Sequence, residues 1–332
     1  MKVKELIHRR VSHTRLAALD AAHRGNRIVE RACDCPCRLD QDYRAGSCGC
    51  RLGWVVTMLI TGSVTVRAHD APVPDKGGYS LFNPTPAAYL RELSPDRPDQ
   101  TESPYTVDAG HLQLEMDFAN LSYDETAPTT TRTWNIAPIN FKVGLLNNVD
   151  LQLIFDDYLN VRTKHEGTGK TTNQSGVGDF TTRLKINLWG DDRGKTAFAL
   201  LPFVKFPTHT DNLGNNAVEG GVVFPLAVKL PAAFDMGYET AVSFLQDADD
   251  AQYHEDFINS LTFGHALFGK WSGYLEFFSE TSTERHTGWI GTVDAGLEYL
   301  ATENIQLDCG CNFGVTRAAD DFHPFAGITV RF

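Results

Sequence analysis

Residues Gly110–Asn120 read GHLQLEMDFAN. Leu112, Leu114, Met116 and Phe118 alternate there with His111, Gln113, Glu115 and Asp117. A period of two puts one set on each face of a β-strand, so one face is apolar and the other polar and charged. In a water-soluble sandwich the apolar face is core. In an outer-membrane barrel it faces lipid, and the polar face lines a wet interior.

Eleven further segments keep that period: Thr133–Val143, Val149–Phe155, Asp179–Trp189, Thr196–Phe206, Val218–Leu230, Met236–Leu245, Phe257–His265, Trp271–Ser279, Trp289–Tyr299, Ile305–Val315 and Pro324–Phe332. Each is about ten residues, the length a tilted strand needs to cross a bilayer. Pro202 and Pro225 fall inside two of them and predict bulges there. The connections alternate in length. SYDETAPTTT is long and GLLNN short; residues 160–176 are long and GDDRGK short. PTHTDNLGNN is followed by PAAFD, QDADDAQYH by LFGK, and ETSTERHTG by ATEN. Long outer loops alternating with tight periplasmic turns mark a meander closed in a membrane. The expected fold is all-β: a single closed antiparallel transmembrane β-barrel of about twelve strands over residues 109–332.

Bulk composition agrees. The 332 residues are 42% hydrophobic and 22% charged, with 28 Gly and 20 Phe, as expected when half of each strand faces a polar interior. Net charge is +6 over residues 1–68 and −18 over 69–332. An acidic mature chain excludes sequence-independent nucleic-acid binding, which needs a cationic surface.

The front end differs from the rest. Residues 1–50 are basic and carry Cys33, Cys35, Cys37, Cys48 and Cys50. Their CxC spacing is not the CxxC of a zinc ribbon, and the segment reads as an extension ahead of the mature protein. Residues 51–68 combine Arg51, an apolar run and Val66-Arg67-Ala68, the pattern of a signal peptide cleaved after Ala68. Residues 69–108 are proline-rich and read as a periplasmic linker or plug, with a short helix expected from Thr85-Pro86. Cys309 and Cys311, two apart on one strand face, read as small apolar residues rather than a disulfide.

Strand direction places Trp134 and Trp289 at the outer rim and Trp189 and Trp271 at the periplasmic rim, as an aromatic girdle requires. Phe332 ends an amphipathic strand and reads as an insertion signal for the barrel-assembly machinery, with outer-membrane lipid as the other partner. Inward positions are Glu115, Asp117, Lys142, Asp150, Gln152, Arg183, Lys185, Asp294, Glu298, Asp308 and Arg331. Charges lining a narrow bore select what passes by field and size. Arg183 and Lys185 facing the acidic set produce either a salt-bridged plug or a charge-separated constriction, and both stay open at this point. Asp96, Arg97 and Asp99, just ahead of the first strand, are the candidate plug residues.

Catalysis is not expected. The strands contain no H-x-S pair to activate a lipid-facing serine, and GxSxG, HExxH and the P-loop are missing. No metal site and no cofactor are expected.

Thr101–Glu115 (TESPYTVDAGHLQLE), with Arg97-Pro98-Asp99 ahead of it, resembles the opening of the MetA-pathway phenol-degradation family of outer-membrane barrels, related to FapF-type channels. The resemblance continues at Gly176-Val177-Gly178-Asp179, at Pro202–Thr208 (PFVKFPT) and at Gly327–Phe332, and covers roughly residues 94–332. It implies an outer-membrane transporter or channel for a small, often hydrophobic or aromatic, organic cargo. The alternative is a plugged structural or interaction barrel working through its long loops 160–176, 207–217 and 246–254.

Overall fold

The structure, a computed structural model, describes residues 75–247, 251–285 and 287–332. The Cys-rich segment and the stretch read as a signal peptide lie outside the described residues. Fifteen strands follow one another: β1 (Leu112–Thr126), β2 (Thr129–Ile136), β3 (Ile139–Leu146), β4 (Val149–Phe155), β5 (Tyr158–His165), β6 (Thr171–Gly176), β7 (Phe180–Trp189), β8 (Thr196–Phe206), β9 (Glu219–Lys229), β10 (Phe234–Gln246), β11 (Tyr253–Phe268), β12 (Trp271–Ser282), β13 (Ile290–Thr302), β14 (Ile305–Gly314) and β15 (Phe322–Arg331). All pairings are antiparallel, and β15 returns to β1 with Gln113 opposite Arg331, closing the ring. Phe332 N–H donates to the Leu112 carbonyl at 2.8 Å beside that seam.

The barrel proper has twelve strands: β1, β3, β4 and β7–β15. The three others are outer continuations. β2 and β3 are one chain run broken at Ala137-Pro138, where Ala137 adopts φ 53°. β4 and β5 break at residues 156–157, and β6 and β7 at 177–179. β1 itself has a bulge between Asp117 and Ala119. The bulge inserts one residue and moves the inward face from Glu115 and Asp117 to Asn120 and Asp124. Below it β1 pairs with β3, above it with β2. β7 pairs onward with β8, whereas β6 does not. Loop 207–217 packs against β6 instead: Ser175 N–H donates to Asp211 Oδ2 at 2.9 Å and Thr210 N–H to the Val177 carbonyl at 3.1 Å.

Closure decides the ambiguity of the alternating pattern. Phe118, Val204, Phe257, Phe277, Leu297 and Leu307 are exposed on the outer surface, while Glu115, Lys142 and Asp308 are buried inside. An apolar belt of that extent is stable only against lipid or a partner. It is the inverse of a soluble sandwich.

Three expectations are corrected. The outer loops are shorter than read: SYDET continues β1, and residues 160–176 form most of the β5–β6 hairpin. Beyond the lipid belt both faces are wet, so the hydrophobic period stops while backbone pairing continues. The helix expected at Thr85-Pro86 is a single 3-10 turn, Ala87–Tyr89. Thr85 N–H is bonded to Ala109 and Arg91 N–H to Asp108, which hold the chain extended on either side. Neither Pro202 nor Pro225 causes a register shift; instead the β7–β8 and β8–β9 ladders skip the positions opposite them. A missing N–H is absorbed by a local gap. Cys309 and Cys311 are free thiols on the outer face.

Candidate functional site

The chain from Pro95 to Val107 enters the lumen from the short-turn end, crosses it and returns to the start of β1. Its inner tip lies level with Arg183, Glu239 and Glu276. Each of those is five or six residues from the periplasmic end of its strand. Two inward glycines leave room for it. A Cβ on Gly144 would overlap the Asp108 carbonyl, and one on Gly327 would overlap the Arg97 guanidinium.

The lumen wall is divided by charge. Lys142 on β3, Arg183 and Lys185 on β7 and Lys205 on β8 are buried cations on one side; Glu239, Glu276, Asp294 and Asp308 line β10–β14. The plug complements both sides. Asp96 accepts from Lys142 and Lys185 at 2.5 Å each, with Arg183 3.8 Å away. Burial would raise the Asp96 carboxyl, but Lys142, Lys185 and Arg183 hold it well below the usual carboxylate range. Lys142 also pairs with Glu115. Glu102 accepts from Arg183 Nη1 at 2.6 Å and Nη2 at 3.2 Å, a bidentate clamp. Arg97 reaches the other way, pairing with Asp117 and, at 2.5 Å, with Asp308.

To Glu239, Glu276 and Asp294 on the acidic wall the plug offers neutral donors. Gln100 and Thr101 N–H donate to the two oxygens of Glu276 at 2.7 Å each, and Thr101 Oγ1 donates to Glu276 Oε1 at 2.6 Å. The Gln100 amide donates to Asp294 at 2.7 Å, and Glu102 N–H to Glu239 at 2.6 Å.

The root of the plug is tied to two periplasmic turns. Thr106 donates to Asp191 through N–H at 3.0 Å and Oγ1 at 2.5 Å. Arg91 bonds Asn147 and Asp192, and Lys76 pairs with Asp192 at 2.8 Å and Asp108 at 3.3 Å. Burial pushes the Asp191 carboxyl up to about 6. For Asp192 burial acts in the same direction but is outweighed by hydrogen bonds from Lys76 and Asn147 and the charge of Arg91, leaving it at about 2.

Of the predicted inward residues, Glu115, Asp117, Lys142, Asp150, Gln152, Arg183, Lys185, Asp294, Asp308 and Arg331 are buried inside. Glu298 is half-buried and accepts from Ser272 at 2.8 Å. Arg331 holds the Arg91 carbonyl and Asn304 at the rim, away from the central network. Of the plug candidates, Asp96 and Arg97 make the ion pairs above and Asp99 is half-buried beside them. Trp189 and Trp271 lie next to the short turns, Trp134 and Trp289 toward the long connections, all facing outward. Sequence reading missed Gln100, Thr101, Glu102 and Thr106 on the plug. It also missed Glu239 and Glu276 on the wall, which the period of two would have placed inward. A third omission is an apolar patch inside the lumen: Leu201, Phe203, Val223, Leu245, Ile258 and Phe278. On β8 and β9 both faces are apolar, which hid the inward one.

A solved channel shares this architecture. The COG4313 outer membrane channel from Pseudomonas putida F1 superposes with TM-score 0.51 at 14% identity, over 73% of this chain and 100% of that one. At that identity the likeness is one of fold. The transport unit of the autotransporter AIDA-I from Escherichia coli gives 0.43 at 10% identity, over 74% and 93% of the two chains. The NanC porin gives 0.41 at 10%, over 66% and 98%. No curated protein matches the chain. The family described as "Putative MetA-pathway of phenol degradation" matches residues 95–332, and the chain, with its plug and barrel both inside that span, belongs to it.

Proposed function

We propose that the chain is a bacterial outer-membrane channel that passes a small hydrophobic or aromatic organic molecule through its lumen, with neither cofactor nor catalysis. The observation that carries this reading is the apolar patch. Ala241, Ile258 and Phe278 stand two strand positions outward of Glu239, Ser260 and Glu276, which the plug contacts. Asp256 and Glu280 stand two positions further outward on the same strands, so the apolar residues form a segment of the lumen between a charged outer mouth and the plug. Apolar area of this kind favours an apolar ligand, and the hydrogen-bonded plug below prevents free flow of ions.

The test is entry of the hydrophobic fluorophore 1-N-phenylnaphthylamine into cells whose lipopolysaccharide excludes it. Cells producing the wild-type barrel are expected to take it up faster than cells without the barrel. Ile258→Asp, checked for folding by heat-modifiable mobility, is expected to remove the gain. Equal uptake with and without the wild-type barrel overturns the reading. A second reading, a sealed barrel acting through its outer loops, is favoured by the buried ion pairs of Asp96. It predicts no uptake and no conductance in a planar bilayer.

A further inference from the structure

A cluster outside the plug network has the donor chemistry of a metal site. Asp247 directly follows β10, His254 lies at the start of β11, and Glu284 follows β12 by two residues. Their donor atoms all lie within 4.8 Å of one another. His254 faces the lumen at the outer mouth with its side chain 6% exposed; that of Glu284 is 8% exposed and that of Asp256 1%. His254 Nδ1 is 2.6 Å from Asp247 Oδ1. Its Nε2 is 3.5 Å from Asp256 Oδ1 and 3.8 Å from Glu284 Oε2.

Those last two separations are long for hydrogen bonds. They are close to the edge between two ligands of one tetrahedral ion, ~3.4 Å for bonds of about 2.1 Å. A carboxylate on the opposite imidazole nitrogen is the arrangement that orients metal-binding histidines. We propose that this cluster binds a divalent transition-metal ion, with His254 and Glu284 as central ligands and Asp247 and Asp256 flanking them. One imidazole among carboxylates suits Mn²⁺ or Zn²⁺ better than thiophilic ions. The ion ties the ends of β10 and β12 to β11 at the outer mouth of the lumen.

The test uses the full-length chain, stripped with EDTA and titrated with Mn²⁺, with the free aquo ion followed by electron paramagnetic resonance. Mn²⁺ prefers oxygen and imidazole to thiolate, which keeps the cysteines of residues 33–50 out of the titration. The wild type is expected to bind one equivalent. His254→Gln and Glu284→Gln should each weaken it by about 100-fold, and Asp247→Asn by about tenfold, since removing a partner that orients a ligand costs roughly 10–100-fold. Limited proteolysis of the connection between β10 and β11 is expected to slow with Mn²⁺ in the wild type alone. No binding by the wild type, or equal binding by the wild type and both glutamine variants, overturns the proposal. Heat-modifiable mobility checks that each variant is folded.

Discussion

The two walls of the lumen hold the same plug by different means. On the basic wall, formed by β3 and β7, charge meets charge: Asp96 sits between Lys142 and Lys185, and Glu102 is clamped by Arg183. On the acidic wall, β10–β13, the partners of Glu239, Glu276 and Asp294 are amides and a hydroxyl of Gln100, Thr101 and Glu102. Removing one member of a buried ion pair strands the other, at a cost of about 3–5 kcal/mol. Losing one neutral donor to a charged acceptor costs about 1.5–3 kcal/mol. β10–β13 therefore hold the plug less firmly than the basic wall does, while Arg97, paired with Asp117 and Asp308, ties it to β1 and β14.

Asp96→Ala tests this most severely, because it leaves two lysines buried with their shared acceptor gone. Single-channel conductance in a planar bilayer is expected to rise from a closed or flickering trace to a sustained open level. Thr101→Val removes only the hydroxyl donated to Glu276 and keeps the backbone donor. Its expected effect is a modest increase in open time. If Thr101→Val opened the barrel as fully as Asp96→Ala, the ranking of the walls would be reversed.

Acidity sharpens the comparison at the root of the plug, on the turn that follows β7. Asp191, held at about 6 by burial, takes up a proton more readily when docked against Thr106 than when released, where it titrates near 3.8. Its contribution to docking is full below about 4 and is lost as pH rises through about 6. Asp192, lowered to about 2, contributes above 3.8, and that contribution is lost only as pH falls through about 2. Of these two, only Asp191 changes between pH 5 and 7. Hydrogen exchange at the Thr106 amide, corrected for intrinsic rate, is expected to be several-fold slower at pH 5 than at pH 7. Asp191→Asn should abolish the difference, and a persistent difference would assign it to other groups.

What the sequence disclosed followed from how strictly a surface demands a pattern. Lipid outside and charge inside forced the alternation of Leu112, Leu114 and Met116 with Gln113 and Glu115, so strand number, closure and the inward set were readable. The outer halves β2, β5 and β6 were not, because water on both faces relaxes the pattern at TTTR and TTNQ. Asp96 and Arg97 were visible as charges placed just ahead of a strand. Thr101 and Thr106 were not, because their work is done by backbone N–H and hydroxyl groups that any polar loop also carries. The apolar patch escaped for the opposite reason. Leu201 and Phe203 lie among apolar neighbours on both faces, and nothing in the local pattern marked which of them turned inward.

Outside the barrel the two walls cease to differ, and this gives the smallest predicted effect. Trp189, on β7 of the basic wall, stacks on Phe198 with ring centroids 4.9 Å apart, and Trp271, on β12 of the acidic wall, meets Tyr299 at the same 4.9 Å. Both indoles face outward beside short turns, where an amphipathic ring anchors the lipid interface. Each Trp→Ala change is expected to cost about 0.5–1.5 kcal/mol, the worth of an aromatic pair beyond its area, in urea unfolding from lipid vesicles. Neither should alter conductance, because the side chain removed lies on the opposite face of the strand from the plug contacts. An opened channel in Trp271→Ala but not in Trp189→Ala would mean that β12 transmits outer-surface packing to Glu276. The asymmetry of the lumen would then extend through the wall instead of ending at its inner face.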